Sequence, residues 1–496
     1  MNAAAFAGMR RGIEKESLRA SAAGQLARTP HPPALGSPLT HPHITTDFCE
    51  SQLELITAAH TSVDATLEEL AHIHQVVYRT LGEEILWGAS MPCGLPPDAE
   101  IPLARYGVSN VGRAKTVYRM GLAHRYGPRM QTISGIHYNW SLPERSSDEY
   151  FALVRNFRRT AWLLFYLFGA SPAVCESFVA GNPRHGLQPL APGTLYLPHA
   201  TSLRMGRLGY QSDAQSKLAV SYNNLDDYGA SLYDALTTPY AAYEKIGLRD
   251  ERGEYRQLST SLLQIENEFY GKIRPKRRIE PGERPLHALR ARGVEYVEVR
   301  LMDLDPFSPV GITAQTCRFL DVFLLRCLQA ESPPDSPAEI ATINRNQERV
   351  AARGREPGLA LGRGEREVPM REWGAELLAE CKPIAEALDA ALGGAAYRDA
   401  VQAAQAALEE PDSTPSARVL HAMQRNHGGS YLRFVLAESL AHRGSLLGMP
   451  LPPAVEDSFA ELARASLEKQ RETEASDRID FETWRRRYLD PQKLKA

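Results

Sequence analysis

Residues 294–302 read VEYVEVRLM, with Gly293 before them and Asp303, Asp305 and Pro306 after. Val297, Val299 and Leu301 alternate with Tyr296, Glu298 and Arg300, a period of two that marks a strand with one apolar and one polar face. A Glu–Arg pair on such a face is commonly structural, and it gains meaning only from what else shares the sheet. Working outward, Met130 to Leu142 (MQTISGIHYNWSL) has the β-branched and aromatic content of a second strand, carrying His137. Ser62 to Leu81 instead spaces Val63, Leu67, Leu70, Ile73, Val77 and Leu81 as an amphipathic helix with Ser62 as its cap. Ser147 to Leu167 reads as another helix, ending near Gly169. From Met370 onward Ala, Leu, Glu and Arg dominate, predicting helices over 376–392, 397–408 and 455–488. Strands and helices do not alternate regularly, so the expected class is α+β with an antiparallel sheet and a largely helical C-terminal third. A turn-rich break at Ala330 to Glu339 (AESPPDSPAE) divides a core, 1–330, from a helical region, 331–496, packed on it.

Composition bounds the function. The 496 residues carry 57 Lys and Arg against 60 Asp and Glu, so no basic surface for nucleic acid is implied. The 6 cysteines form no CxxC pair, which disfavours a thiolate zinc site and predicts no disulfide framework. The longest strongly apolar run, Ala161 to Ala170, falls short of the ~20 residues that cross a bilayer. A reduced, cytoplasmic enzyme acting on small molecules is the expectation, with no nucleic-acid or membrane partner. Gly107 to Thr116 (GVSNVGRAKT) has Arg113 where a phosphate-binding P-loop needs lysine. GxSxG, HExxH and GxGxxG motifs are absent, which disfavours the common hydrolases and dinucleotide dehydrogenases.

Acidic residues recur in three distant stretches. Glu14 and Glu16 in Arg11–Arg19 (RGIEKESLR) fall on one face of a strand, which by itself fits the polar face of an edge strand. In Thr45–Thr57 (TTDFCESQLELIT), Asp47, Glu50 and Glu54 fall on one helical face, and Asp47 with Glu50 reads as a capping box. Glu54 sits between Leu53 and Leu55 and therefore needs a cation or metal partner if buried. Glu298 is the third. With His137 and Arg300 these side chains would supply oxygen ligands for a divalent cation and a guanidinium for phosphate.

RGIEKESLR, LGSPLTHPHITTDFCESQLELIT, SMPCGLPPDAEIPLARYGVSNVGRAKTVYRMGLAHRYG and MQTISGIHYNWSLP closely resemble the proteobacterial type of glutamate–cysteine ligase. LFGASPAVC, YLPHATSLRMGRLGYQS, LQIENEFYGKIRPKR and GVEYVEVRLMDLDPFSP extend the resemblance over most of residues 8 to about 330. It implies a curved antiparallel sheet funnel of the glutamine synthetase type, and a monomer that joins L-glutamate to L-cysteine with ATP and magnesium, manganese being an alternative metal. Glu14, Glu16, Asp47, Glu54, His137 and Glu298 look like the family's metal ligands, and Arg300 like its contact to the γ-phosphate. Phe48, Tyr118, Gln131, Tyr210 and Tyr270 resemble the cysteine pocket, with Arg119 and Arg204 as partners for substrate carboxylates. A related ligase with another amine acceptor, or a non-catalytic relative, are the alternative readings; an intact ligand set argues against the second.

Overall fold

The computed structural model describes residues 3–209, 213–216, 218, 220–280 and 282–495. Its centre is an antiparallel sheet. β1 (Arg10–Ala20) lies inside it, between β3 (Gln52–Ile56) and β5 (Ile136–Ser141), with β2 (Ile44–Thr46) beyond β3 and the short β4 (Ile85–Leu86) paired to the end of β1. β6 (Ala173–Cys175), β7 (Gln188–Ala191) and β8 (Thr194–Tyr196) form a separate sheet in the order β6–β8–β7. β9 (Ile273–Lys276) and β10 (Tyr296–Met302) complete the first sheet, whose order is β2–β3–β1–β5–β10–β9. The α+β architecture with antiparallel pairing is as the sequence predicts. β1 is interior, so its acids are not the trim of an exposed edge.

Alternation separates the two faces of this sheet. Ile13, Leu53, Leu55, Tyr138, Trp140, Val297 and Val299 point to one side and are buried in the main core. Burying an aliphatic side chain of this size contributes ~1.5–3 kcal/mol, which fixes which face turns inward. Helices Val63–Thr80, Ser147–Thr160, Trp162–Phe168 and Ala314–Gln329 cover that face. The first is capped by Ser62, whose side chain accepts from Ala65 N, and the second by a capping box of Ser146 and Glu149. In the C-terminal third, helices Met370–Leu392 and Ala396–Glu409 pack on each other and on Ala314–Gln329. Trp373 meets Trp162 with ring centroids 5.0 Å apart.

Three expectations need correction. Residues 44–56 form the β2–β3 hairpin, not a helix, and Asp47 and Glu50 are not a capping box. Glu50 instead accepts from the backbone N–H of His31 and of Arg105, each at 2.6 Å, and ties two loops together. The strand over 130–142 begins only at Ile136, because Pro128–Gln131 makes a helical turn. Cys93 and Cys175 form a disulfide across 82 residues of sequence, with Cα atoms 5.2 Å apart. No local pattern brings that pair together; the docking of β6 against the loop after β4 does. The remaining cysteines, Cys49, Cys317, Cys327 and Cys381, are free and buried. Among the described residues no helix is long and apolar enough to cross a membrane.

Candidate active site

Strand register builds the site. Glu16 pairs with Glu54 across β1–β3, and Glu14 pairs with His137 across β1–β5. Asn139 pairs with Glu298 across β5–β10, and Glu298 with Arg274 across β10–β9. All project from the face opposite the apolar core, so five adjacent strands each deliver polar side chains to one surface. Arg300 follows Glu298 by two residues and keeps to the same face.

The side chains meet. His137 Nδ1 lies 2.9 Å from Glu14 Oε2, and Asn139 donates to Glu14 Oε1 at 2.9 Å. Glu16 accepts from Gly135 N–H at 2.8 Å, and its other oxygen is 3.6 Å from His137 Nε2. Arg300 donates to Glu298 Oε2 at 3.0 Å while Lys276 Nζ stands 3.2 Å from Oε1. Ligand atoms of Glu14, Glu54 and His137 lie within 4.8 Å of one another. Among the described residues Glu54 has neither a hydrogen bond nor an ion pair for its carboxylate.

Charge is correspondingly unbalanced. Burial, and then the neighbouring Asp47, push the Glu16 carboxyl up to about 8. Burial, followed by repulsion from Glu14, Asp47 and Glu16, raises Glu54 well above the ordinary carboxylate range. Burial opposes ionisation of Glu14, yet the hydrogen bond to His137 brings it below its ordinary value. Burial likewise opposes ionisation of Glu298, but Lys276 and Arg300 hold it well below. Burial, and then Arg300, lower His137, which keeps its imidazole neutral and able to donate a lone pair. The β1–β3 side is thus acid-rich, only partly offset by Arg204 and Arg300, and the β9–β10 side is cationic.

The other residues singled out from sequence lie around this surface. Asp47 ends β2 in the hairpin loop, where Arg119 Nε and, at 3.0 Å, the Tyr106 hydroxyl donate to its backbone carbonyl. Arg119 also donates to Lys115 O at 2.9 Å and stacks on the Tyr106 ring. Phe48 is buried in a second apolar cluster with Leu18 and Ile133. Tyr118, on helix Asn110–Tyr126, is held unionised by burial and by Glu268. Gln131 donates to the Tyr270 hydroxyl at 2.9 Å, which brings those two predicted pocket residues together. Arg204 is buried, donates to the Arg300 carbonyl at 2.9 Å and packs beneath Gly135. A Cβ at position 135 would meet its guanidinium at 2.0 Å, so any other residue there would have to displace Arg204. Tyr210 lies outside the described residues.

Sequence reasoning missed Asn139, Arg274 and Lys276. The signal was present in IRPK, where Arg274 and Lys276 alternate with apolar Ile273 and Pro275, and in the two-residue step from His137 to Asn139.

A family model described as glutamate-cysteine ligase matches residues 1–350. A glutamate–cysteine ligase of Alcanivorax borkumensis is 47% identical, covering 97% of this chain and 96% of that one. One from Azotobacter vinelandii is 50% identical, covering 95% of this chain and 92% of its own. A crystal structure of glutamate–cysteine ligase from Francisella tularensis, in complex with AMP, superposes with a TM-score of 0.93 at 38% identity over 98% of each chain. With more than half of its length matched by the family model and near-complete coverage of relatives at this identity, the chain belongs to the glutamate–cysteine ligase family.

Proposed function

We propose that the acidic face of the sheet is the catalytic surface on which this chain joins the γ-carboxylate of L-glutamate to the amino group of L-cysteine. The reaction consumes ATP and gives γ-glutamylcysteine, ADP and phosphate, the first step of glutathione biosynthesis. The observation that carries the reading is the convergence of Glu14, Glu16, Glu54, His137 and Glu298 from separate strands beside Arg300.

The donor set fits a hard divalent cation. Carboxylate oxygens and one neutral imidazole are the right atoms, and burial and mutual repulsion hold Glu54 and Glu16 above the ordinary carboxylate range despite Arg204 and Arg300, which a further cation would relieve. Glu14, Glu16, Asp47, Glu54, His137 and Glu298 would hold magnesium, or manganese. A metal held there would offset the charge of the phosphate oxygens of ATP. The planar guanidinium of Arg300, on the same face, would supply a donor fork to the γ-phosphate. A free carboxylate has a poor leaving group, so the glutamate γ-carboxylate oxygen first attacks the γ-phosphorus and ADP departs. The cysteine amine then attacks the acyl carbonyl, loses a proton, and phosphate leaves. Enclosure protects the acyl phosphate from water in between. Phe48, Tyr118, Gln131, Tyr210 and Tyr270 form the cysteine pocket in this reading, and Arg119 and Arg204 order the carboxylate end of the substrates. The sheet is then the curved funnel of glutamine synthetase relatives, 1–330 the catalytic core and 331–496 a helical region docked on it. In this reading the enzyme acts as a monomer in the cytoplasm.

Coupled measurement of ADP release tests this directly. With glutamate and magnesium, adding cysteine is expected to raise the rate strongly; a rate indifferent to cysteine would refute the reading. Arg300→Lys keeps the charge and loses the donor fork, so turnover should fall by about 100-fold while glutamate affinity holds. A lysine variant with near wild-type turnover would remove Arg300 from the phosphate.

A further inference from the structure

Lys276 has no part in the roles assigned above. It stands on β9 opposite Tyr296, on the face that bears Glu298. Its ammonium is 3.2 Å from Glu298 Oε1, Arg300 is 3.0 Å from Oε2, and Arg274 reaches Oε2 at 4.0 Å. These cations are not equivalent. Arg274 is sealed in, its side chain 6% exposed, and it donates to the backbone carbonyls of Asn267 and Phe269. Lys276 is 27% exposed, and its ammonium, whose charge also acts on Glu14, forms its ion pair with Glu298.

One carboxylate has no need of this much positive charge once a divalent cation also binds it. The cation and Lys276 compete for Oε1, and the lysine is the partner on a flexible stem that can turn away. Arg300 gives the direction: it and Lys276 approach the two oxygens of one carboxylate, so an anionic group held at Arg300 comes within reach of the lysine's ammonium.

We propose that Lys276 is a further catalytic residue, a contact to the nucleotide's phosphate oxygens that neutralises Glu298 only while the divalent cation is away. The inference rests on the reading that the acids hold divalent cations against ATP, and its test separates the two. Manganese binding is measured by electron paramagnetic resonance without nucleotide, and binding of the non-hydrolysable analogue AMP-PNP is measured calorimetrically with magnesium. Lys276→Gln should leave manganese affinity unchanged or tighter, since a competitor is gone, and should weaken AMP-PNP about tenfold or more. Lys276→Arg should recover most of that loss. A residue that merely props Glu298 would instead weaken manganese in the absence of nucleotide, and that result overturns the proposal. Unchanged AMP-PNP affinity in Lys276→Gln overturns it as well, leaving the cation reading intact. A wild-type protein that binds neither manganese nor AMP-PNP sinks both.

Discussion

Glu298→Gln should give a folded protein that forms γ-glutamylcysteine about 10³-fold more slowly than the wild type. The expected size follows from the surroundings of the carboxylate. Glu298 is 1% exposed, and Lys276 and Arg300 each approach one of its oxygens. Glutamine preserves the volume and can still accept from Arg300, and strand β10 remains paired on both sides, so the fold is expected to persist. The charge is what is lost. Cationic side chains then face a neutral amide at low exposure, and a cation brought to the site finds one anionic ligand fewer and more net repulsion. Initial rates over a range of magnesium concentrations, with circular dichroism as the check on folding, measure both consequences. Activity should remain depressed at saturating metal, and the concentration of magnesium needed should rise. A wild-type rate at saturating metal would take Glu298 out of the reaction.

What the sequence allowed to be read, and what it hid, follow from the range of the interactions. Period-two alternation is local, so VEYVEVRLM gave the faces of β10 correctly and RGIEKESLR gave the shared face of Glu14 and Glu16. Ser62 as a cap and the helix end near Gly169 are equally local and both stand, although the single helix expected over 147–167 is two, Ser147–Thr160 and Trp162–Phe168, parted at Ala161. Asp47, Glu50 and Glu54 show how a local pattern misleads. Their spacing matches a helical face by coincidence, whereas Gln52 to Leu55 alternates polar and apolar and with Ile56 forms β3, with Leu53 and Leu55 in the core and Glu54 opposite Glu16. On the strand Leu53 and Leu55 point away from Glu54, and the need for a positive partner comes instead from its burial among Glu14, Asp47 and Glu16. Pairings between distant strands carry no local signature. That Glu14 faces His137 and Glu298 faces Asn139 depends on register, and register is set by burial of the opposite face. The Cys93–Cys175 bond belongs to the same category.

The register of β1 is itself anchored by a charge, and removing its partner should be costly: Asp321→Asn is expected to destabilise the protein by about 3–5 kcal/mol. Arg11, near the start of β1, points to the core side and meets Asp321 at 2.8 Å, with the two side chains 1% and 0% exposed. Asp321 also accepts from the Tyr138 hydroxyl of β5 at 2.8 Å and from Tyr397 of the C-terminal helices at 3.3 Å. A single carboxylate therefore joins two central strands, helix Ala314–Gln329 and helix Ala396–Glu409. Asparagine keeps the size and can still accept from a tyrosine, but it leaves a guanidinium that cannot lose its proton buried without a counter-charge. Urea titration would read the loss, and a change below about 1 kcal/mol would show that the pair is not what holds Arg11. Replacing both partners, Arg11→Met with Asp321→Leu, should recover much of the stability, because the penalty lies in the unpaired charge and not in the missing bond. The consequence reaches the catalytic face. Sliding β1 by one residue would turn Glu14 and Glu16 into the core and bring Ile13 and Lys15 to the surface where the acids gather. Arg11 is three residues from Glu14 on the same strand, and its bond to a helix on the far side of the sheet resists that slip. A pair that contributes little to stability by comparison with well-packed apolar groups then has a function in specificity: it keeps the acids on the side where the substrates arrive.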